Sequence, residues 1–521
     1  MMTRSFIAAA LTVLAVTSCT NTVRPSAEAS MEDAIALRNE GCYDCLLDAR
    51  ELLHRIVRRN EPSTRIARLE TALLLAVRRK ELALDPTEFL AEARTSASML
   101  STQLEAATLV EAIAQLPSDD SGTPREEAAG TRLLSAAAKG QALRQGLELL
   151  ERLSGDPVAA TYLRSALHCG YRGAAGETSP APGRTGEAAD VPLLLYRQSI
   201  CGSTIDPNAL SEVRAVVPRF AEAALFEARG LAASGALGDG RQVRELLLLA
   251  AAKFRDSSAI SYELARSSRA VEDCPDAVEW FTRTLTLRPR HEGAKLGRVI
   301  CLTELGDAEL AMSEATDLIE RPTPVNQGEA LYWRAWNLRQ QHRLTEARSD
   351  TDRAKKLLYN SRLLTLAGMT EYDQGDDAAA ASDLDEAKAL DERNCGARWY
   401  LALVRQRSAA AAASAAEFAA AADCNDAVGV AFADARSSMI GQEELSAEFR
   451  SRQVSAFEAA IAESRSAASA AALNAAIAYA RDGNRDAALR MMDRAEKDPG
   501  RRADVNKARR TLPTVGGKRQ P

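Results

Sequence analysis

Aromatic residues make up only 5% of this 521-residue chain, and histidine occurs four times. His54, His168, His291 and His342 stand apart from one another, and His291-Glu292 has no second histidine to complete a zinc-peptidase pattern. No glycine loop leads into Lys-Ser or Lys-Thr to cradle a phosphate, no dinucleotide glycine motif is present, and no serine sits on a nucleophile elbow. Carboxylates are plentiful but spread as on any helical surface, so they do not mark paired acid–base chemistry. The sequence therefore reads as non-enzymatic, with no catalytic residue, no metal site and no cofactor assigned. Charge of one sign is also lacking: 66 Lys and Arg stand against 72 Asp and Glu, a net −6. Without a concentrated basic face a nucleic-acid partner is not expected. The one basic cluster is the tail, with Arg501, Arg502, Lys507, Arg509, Arg510, Lys518 and Arg519 against Asp504. It reads as a frayed, solvated terminus; the sharper alternative is contact with an anionic surface such as lipid headgroups or wall polymers.

What is present favours helices. Apolar residues reach 46%, and alanine, leucine, arginine and glutamate dominate, all strong helix formers. Runs of β-branched residues that would favour strands are few.

The N-terminus carries an address. Arg4 precedes an apolar run from Phe6 to Val16, 11 residues long and too short to span a bilayer, followed by Val16-Thr17-Ser18-Cys19. This resembles the lipobox of bacterial lipoproteins, in which the cysteine thiol is alkylated with diacylglycerol and becomes the first mature residue. The resemblance implies lipid attachment (palmitate among the chains) at Cys19, with residues 20–30, polar and bearing Pro25, as a tether. Thr20, in place of the Asp that retains such proteins in the inner membrane, favours the outer membrane, its periplasmic face before the cell surface. Beyond this run no segment is apolar enough to cross a membrane.

Self-similarity is the informative signal in the body of the chain. The segment from Ala471 to Pro499 reads helix, turn, helix: small Ala476 and bulky Tyr479, a Gly483-Asn484 turn, then Ala488, Met492 and Ala495 at helical spacing. The small site of the second helix recurs at Val243, Ala277, Ala311, Ala347, Ala380 and Ser414, with gaps of 34, 34, 36, 33 and 34. Twelve residues earlier lies the first-helix site: Leu231, Ala265, Val299, Ala335, Gly368 and Ala402. A bulky site follows at Leu247, Phe281, Ala315, Thr351, Leu384 and Phe418, and another small one at Ala250, Thr284, Leu318, Ala354, Ala387 and Ala421. Leu231, Val299, Ala315 and Thr351 have the wrong size for their sites. Gly306-Asp307 and Gly375-Asp376 provide turns, and Pro289 and Pro322 end second helices. The pattern resembles the tetratricopeptide (TPR) repeat. It implies an all-α, TPR-like α-solenoid, a right-handed superhelix of antiparallel helix pairs whose function is protein binding.

The organisation expected is a lipoprotein signal peptide over 1–18, a flexible tether over 19–30, and an N-terminal helical region with degenerate repeats over 31–168. A loop-rich insertion over 169–202 follows, then the array over 203–424, a helical insertion over 425–464, a final unit over 465–498 and a basic disordered tail over 499–521. Within 31–168, residues 117–130 read as a polar loop and 132–153 as further helix. Eight cysteines besides Cys19 form an even set suited to an exported chain: Cys42, Cys45, Cys169, Cys201, Cys274, Cys301, Cys395 and Cys424. They fall into four sequence-local pairs, although eight cysteines allow 105 connectivities. Once the repeats are placed, Cys274 with Cys301 and Cys395 with Cys424 lie on adjacent helices.

In a solenoid of this kind the first helices line the concave face. The register turns Tyr262, Arg266, Arg269, Tyr332, Trp336, Arg339, Gln340, Arg362, Met369, Tyr372, Trp399, Gln406 and Arg407 inward. Arg, Trp and Tyr are favoured at binding hot spots. The alternative for Tyr332 and Trp399 is packing between helices, and for the arginines simple solvation. The expected partner is a protein or extended, partly acidic peptide held by a lipid-anchored scaffold of the cell envelope. The alternatives are a glycan-binding outer-membrane lipoprotein, against which the scarcity of rings counts, and a cell-wall-modifying enzyme.

Overall fold

The computed structural model describes residues 30–56, 61–116, 157–170, 191–201, 205–234, 240–271, 273–320, 324–441 and 447–512. The signal-peptide and tether expectations, and those for 117–153, lie outside them apart from Ser30. Among the described residues there are helices and no strands. From the N-terminus they are α1 (Met31–Glu40), α2 (Tyr43–Arg55), α3 (Pro62–Glu81), α4 (Thr87–Ser98), α5 (Gln103–Ala114), α6 (Pro157–Gly170), α7 (Pro192–Cys201) and α8 (Pro207–Val216). The array follows as α9 (Ala221–Ser234), α10 (Gly240–Lys253), α11 (Ser258–Ala270), α12 (Cys274–Leu287), α13 (Glu292–Glu304), α14 (Ala308–Ile319), α15 (Pro324–Gln340) and α16 (Leu344–Ala354). It continues through α17 (Ser361–Gln374), α18 (Asp377–Leu390), α19 (Cys395–Arg407), α20 (Ala411–Ile440), α21 (Ala447–Arg481), α22 (Arg485–Ala495) and α23 (Arg502–Arg510). Each helix of the array packs on the next in sequence, giving a TPR-like α-solenoid of hairpins.

The crossings explain why these sequences pair. From α9 to α20 every first-helix small site falls on an odd-numbered helix and every second-helix site on an even-numbered one. Ala265, Ala277, Ala311, Ala335, Ala347, Ala380 and Ala402 are fully buried, and only Leu231 of the twelve sites is half-exposed. The approach is close enough that side-chain size decides it. A Cβ on Gly368 would lie 2.5 Å from Leu384 Cγ and 3.2 Å from the Ala380 carbonyl. At the Ala402–Ser414 crossing the Ser414 hydroxyl donates to the Ala402 carbonyl at 2.9 Å.

The hairpin turns repeat as strictly as the crossings. Asp273, Asp307 and Asp376 cap α12, α14 and α18, each side chain accepting from a backbone N–H three residues on. In the turns that lead into α14, α16, α18 and α20 the chain enters the left-handed region, at Gly306, His342, Gly375 and Ala409 respectively. Glycine tolerates this conformation; His342 and Ala409 adopt it under strain because the crossings on either side dictate the turn.

The N-terminal helices join the array through a buried polar cluster. Arg78 of α3 is fully buried, donates to the Gly41 carbonyl at 2.9 Å, and stacks 4.0 Å from the Tyr196 ring centroid of α7. Its guanidinium lies 3.1 Å from Glu81 and 3.6 Å from buried Glu222 of α9. Tyr162 of α6 donates to Glu81 at 2.9 Å, so four helices meet around one cation.

Disulfides join Cys42 to Cys45, Cys274 to Cys301 and Cys395 to Cys424. The second links successive units, and the third closes a hairpin, each worth about 2–4 kcal/mol. Cys201 is also disulfide-bonded, and the Cys169 side chain lies outside the described residues.

Three expected boundaries are corrected. The 169–202 region is not all loop: α6 runs to Gly170 and α7 covers Pro192–Cys201 with a buried face, leaving 171–190 outside the described residues. No junction separates 425–464 from its flanks. α20 and α21 run unbroken through residues 424 and 464, because alanine-rich faces (Ala421 and Ala422 with Ala471 and Ala472) let two long rods pack together. The tail is not uniformly solvated. Asp498 caps a 3-10 turn over Pro499–Arg501, α23 follows, and Val505 is fully buried.

Relieving the strained turns has a defined outcome. His342→Gly and Ala409→Gly each raise unfolding stability by about 0.5–1 kcal/mol, while Gly375→Ala lowers it by about 1 kcal/mol. Urea denaturation of the three variants measures this; a loss of stability in the glycine variants contradicts it.

Candidate partner-binding surface

The inner wall of the array follows from how its two rows of helices are spaced. Successive first helices, α11, α13, α15, α17 and α19, pack directly on one another. Successive second helices are bridged by long charged side chains: Arg244 to Asp276 at 2.9 Å, Lys355 to Asp383, Lys388 to Glu417 at 3.0 Å, and Arg494 to Asp423 at 2.6 Å. Tight packing on one row and extended side chains on the other bend the stack toward the first helices.

Along this wall Arg339 of α15 reaches across two neighbours. Its guanidinium lies 2.8 Å from the Asp373 carboxylate on α17 and donates to the Tyr400 hydroxyl on α19 at 2.9 Å. Tyr400 meets Tyr372 edge-on, with centroids 5.8 Å apart and planes at 78°. Arg407 covers the other face of Tyr372 at 3.8 Å, donates to the Tyr372 carbonyl at 3.0 Å and pairs with Asp377 at 2.7 Å. The result is a continuous band of edge-on rings and guanidinium groups over three helices.

The other expected residues fall into separate places. Tyr332 is buried, edge-on to Trp333, and roofed by Arg362 at 4.2 Å; Arg362 is itself paired with Glu329 at 2.6 Å. Trp399 turns edge-on to Phe418 at 5.3 Å and packs between units. Tyr332 and Trp399 are thus packing residues, a correction whose cause is the tight first-helix row. Tyr262 is half-buried against the His291 ring at 4.5 Å, with Arg266 over it and paired to Glu263 at 3.1 Å. Arg269 and Gln340 are exposed; Trp336, Met369 and Gln406 are half-exposed. Arg362 and Arg407 are exposed and Arg339 is half-buried, and their charges are already met, Arg339 by Asp373, Arg362 by Glu329 and Arg407 by Asp377.

Asp373 and Tyr400 were missed. Asp373 lies in the same column as Gln340 and Arg407, five residues past the small site, so the register contained it. Tyr400 sits two residues before the small site Ala402, one past the inward position of Trp399, and reaches the band through the length of Arg339.

Two titratable groups lie under the wall. His291 caps α13, its Nδ1 accepting from the Ala294 N–H at 3.1 Å, and burial together with Arg288 holds its pKa down at about 4. Burial and nearby Asp383 push the Glu371 carboxyl up to about 7, against the pull of Lys355 and Arg348.

No family model and no curated protein matches this sequence. Among solved structures the chain is similar to YrrB, a TPR protein with an unusual peptide-binding site, at 17% identity over 45% of this chain and 99% of that one, TM-score 0.32. It is also similar to yeast Tom70, at 12% identity over 83% and 88%, TM-score 0.31. A third is the human IFIT1 dimer with m7Gppp-AAAA, at 12% identity over 80% and 96%, TM-score 0.32. Scores this low carry no argument about partner or ligand, and the architecture rests on the crossings above.

The two titratable groups give pH dependences of opposite sign. The His291 contribution is full above its unfolded value near 6.5 and is lost as pH falls toward about 4. The Glu371 contribution is full below 4.5 and is lost as pH rises through about 7. His291→Asn, which keeps the cap, should flatten the acid limb of a urea-midpoint profile, and Glu371→Gln the alkaline limb. Unchanged limbs contradict the assignment.

Proposed function

We propose that the chain is a non-enzymatic scaffold, lipid-anchored in the bacterial cell envelope, that binds an extended segment of a partner protein along the inner wall. The observation that carries this reading is the band across α15, α17 and α19. Arg339, Asp373, Tyr400, Tyr372 and Arg407 hold one another in place, so the rings are ordered before any partner arrives. A preorganised aromatic surface loses little entropy on binding, which is why such surfaces form hot spots. Half-exposed Trp336 and Met369 occupy equivalent register positions on successive first helices and offer apolar contact beside the band. The engaged arginines argue against a purely acidic partner: with their charges already satisfied, recognition rests on ring faces and side-chain amides such as Gln340 and Gln406.

Attachment through Cys19 is supported by the Val16-Thr17-Ser18-Cys19 pattern and the short apolar run before it. Three acyl chains would hold the scaffold firmly, since a single chain gives only marginal binding. The outer membrane, periplasmic face, is the location this reading favours, with Thr20 following the cysteine.

A photo-crosslinking residue placed at Trp336 or Met369 in cells should capture a discrete partner, and one at outward-facing Tyr359 should not. Trp336→Ala with Tyr372→Ala should weaken recovery of that partner by about tenfold or more, as for hot-spot residues. Equal capture from Tyr359 overturns the inner-wall assignment. Separately, Cys19→Ser should move the chain from the membrane to the soluble fraction, and retention in the membrane contradicts lipid attachment.

A further inference from the structure

At the C-terminal end, α20, α21, α22 and the turn at Pro499–Arg501 enclose an open cleft of about 1180 Å³. Its lining comes from α21, from α22 and the turn after it, and from Asp426 of α20, apart from the band across α15, α17 and α19. Five cations line it: Arg465 on α21, Arg490, Arg494 and Lys497 along α22 and its end, and Arg501. The lining acids are engaged elsewhere or locally. Asp426 pairs with Arg494 at 2.6 Å, Asp493 with Arg509 at 2.5 Å, and Asp498 accepts from the Gly500 N–H at 2.9 Å. Arg501 lies 4.0 Å from Asp504. Arg465, Arg490 and Lys497 make no ion pair among the described residues and are exposed. Arg465, Arg490 and Lys497 thus share one concavity without an ion-pair partner among the described residues, and the one lining acid not paired to a cation is Asp498.

We propose that this cleft binds a ligand carrying phosphate groups. A phosphate monoester carries about −1.5 to −2 charge with three acceptor oxygens, so two such groups balance three cations. Arg465 and Arg490 offer planar forks that meet phosphate bidentately, and Lys497 supplies a point charge. A carboxylate ligand would need three separate acids to supply the same charge. The cleft is far roomier than a single ion needs, so it admits a larger phosphate-bearing ligand.

The test uses the full chain with Cys19→Ser, so that no lipid anchor contributes. Isothermal titration with pyrophosphate probes a soluble source, and co-sedimentation with phosphatidylglycerol vesicles, against phosphatidylcholine vesicles, probes a headgroup. Binding of either phosphate probe is expected. The variant Arg465→Gln/Arg490→Gln/Lys497→Gln should weaken it by about tenfold or more, in line with loss of charged hydrogen bonds. Lys356→Gln, at an exposed lysine elsewhere in the array, should leave it unchanged, and circular dichroism of each variant checks that it is folded. Response to pyrophosphate alone assigns a soluble ligand, and response to phosphatidylglycerol alone a lipid. The proposal is overturned if neither probe binds, if the triple variant binds as the parent does, or if a hexaglutamate peptide binds more tightly than both.

Discussion

Everything in this molecule depends on how closely two helices approach at the small-residue crossing of each hairpin. At Gly368 there is no room for even one methyl group beside Leu384, and at Ala402 the crossing is tight enough for a side-chain hydroxyl to reach the opposing backbone. Interiors packed to this density leave little tolerance for size, so the glycine, alanine or serine at most of these sites sets the position and angle of a helix pair. The turn conformations follow from the crossings. Two units place a histidine and an alanine where the backbone favours glycine, and the packing on either side outweighs that local cost.

Curvature arises one level up. The first-helix row closes through direct contact, while the second-helix row is spanned by lysine and arginine side chains pairing with carboxylates one unit away. Individually such partly exposed pairs contribute little to stability. Their length matters more here, because it keeps the outer row apart. The inner wall that results carries Arg339, Tyr372 and Tyr400, and the same contacts that bend the stack immobilise these side chains. Shape and surface chemistry therefore have one origin. At the C-terminal end of the stack, α20, α21 and α22 with the turn that follows line the basic cleft.

Much of the array was legible in the sequence because irregularly packed helices seldom place alanine-sized residues near every 34 positions. The register also marked the inward face. It did not reveal which inward residues are free. Tyr332 and Trp399 have the same chemistry as Tyr372, and only the local helix spacing decides that the first two pack between helices. Asp373 shares a column with Gln340 and Arg407, but an acid has neither the ring nor the cation that marks a hot spot. At the C-terminus a charge run obscured α23, whose hold on the fold is chiefly one buried apolar side chain, Val505. The long rods α20 and α21 were hidden for a different reason. Alanine-rich sequence lacks the contrast between faces from which helix boundaries are read, and no proline interrupts either segment.

The central claim is that buried alanine crossings, and not helix content in general, specify the stack. Two residues of α18 separate these directly: Ala380 is fully buried at a crossing, while Ala378 on the same helix is exposed. The decisive measurement is the unfolding free energy of Ala380→Leu and Ala378→Leu by urea denaturation, side by side. Overpacking should cost Ala380→Leu about 1–3 kcal/mol and leave Ala378→Leu within about 0.5 kcal/mol of the parent. Equal effects at the two positions would contradict the account.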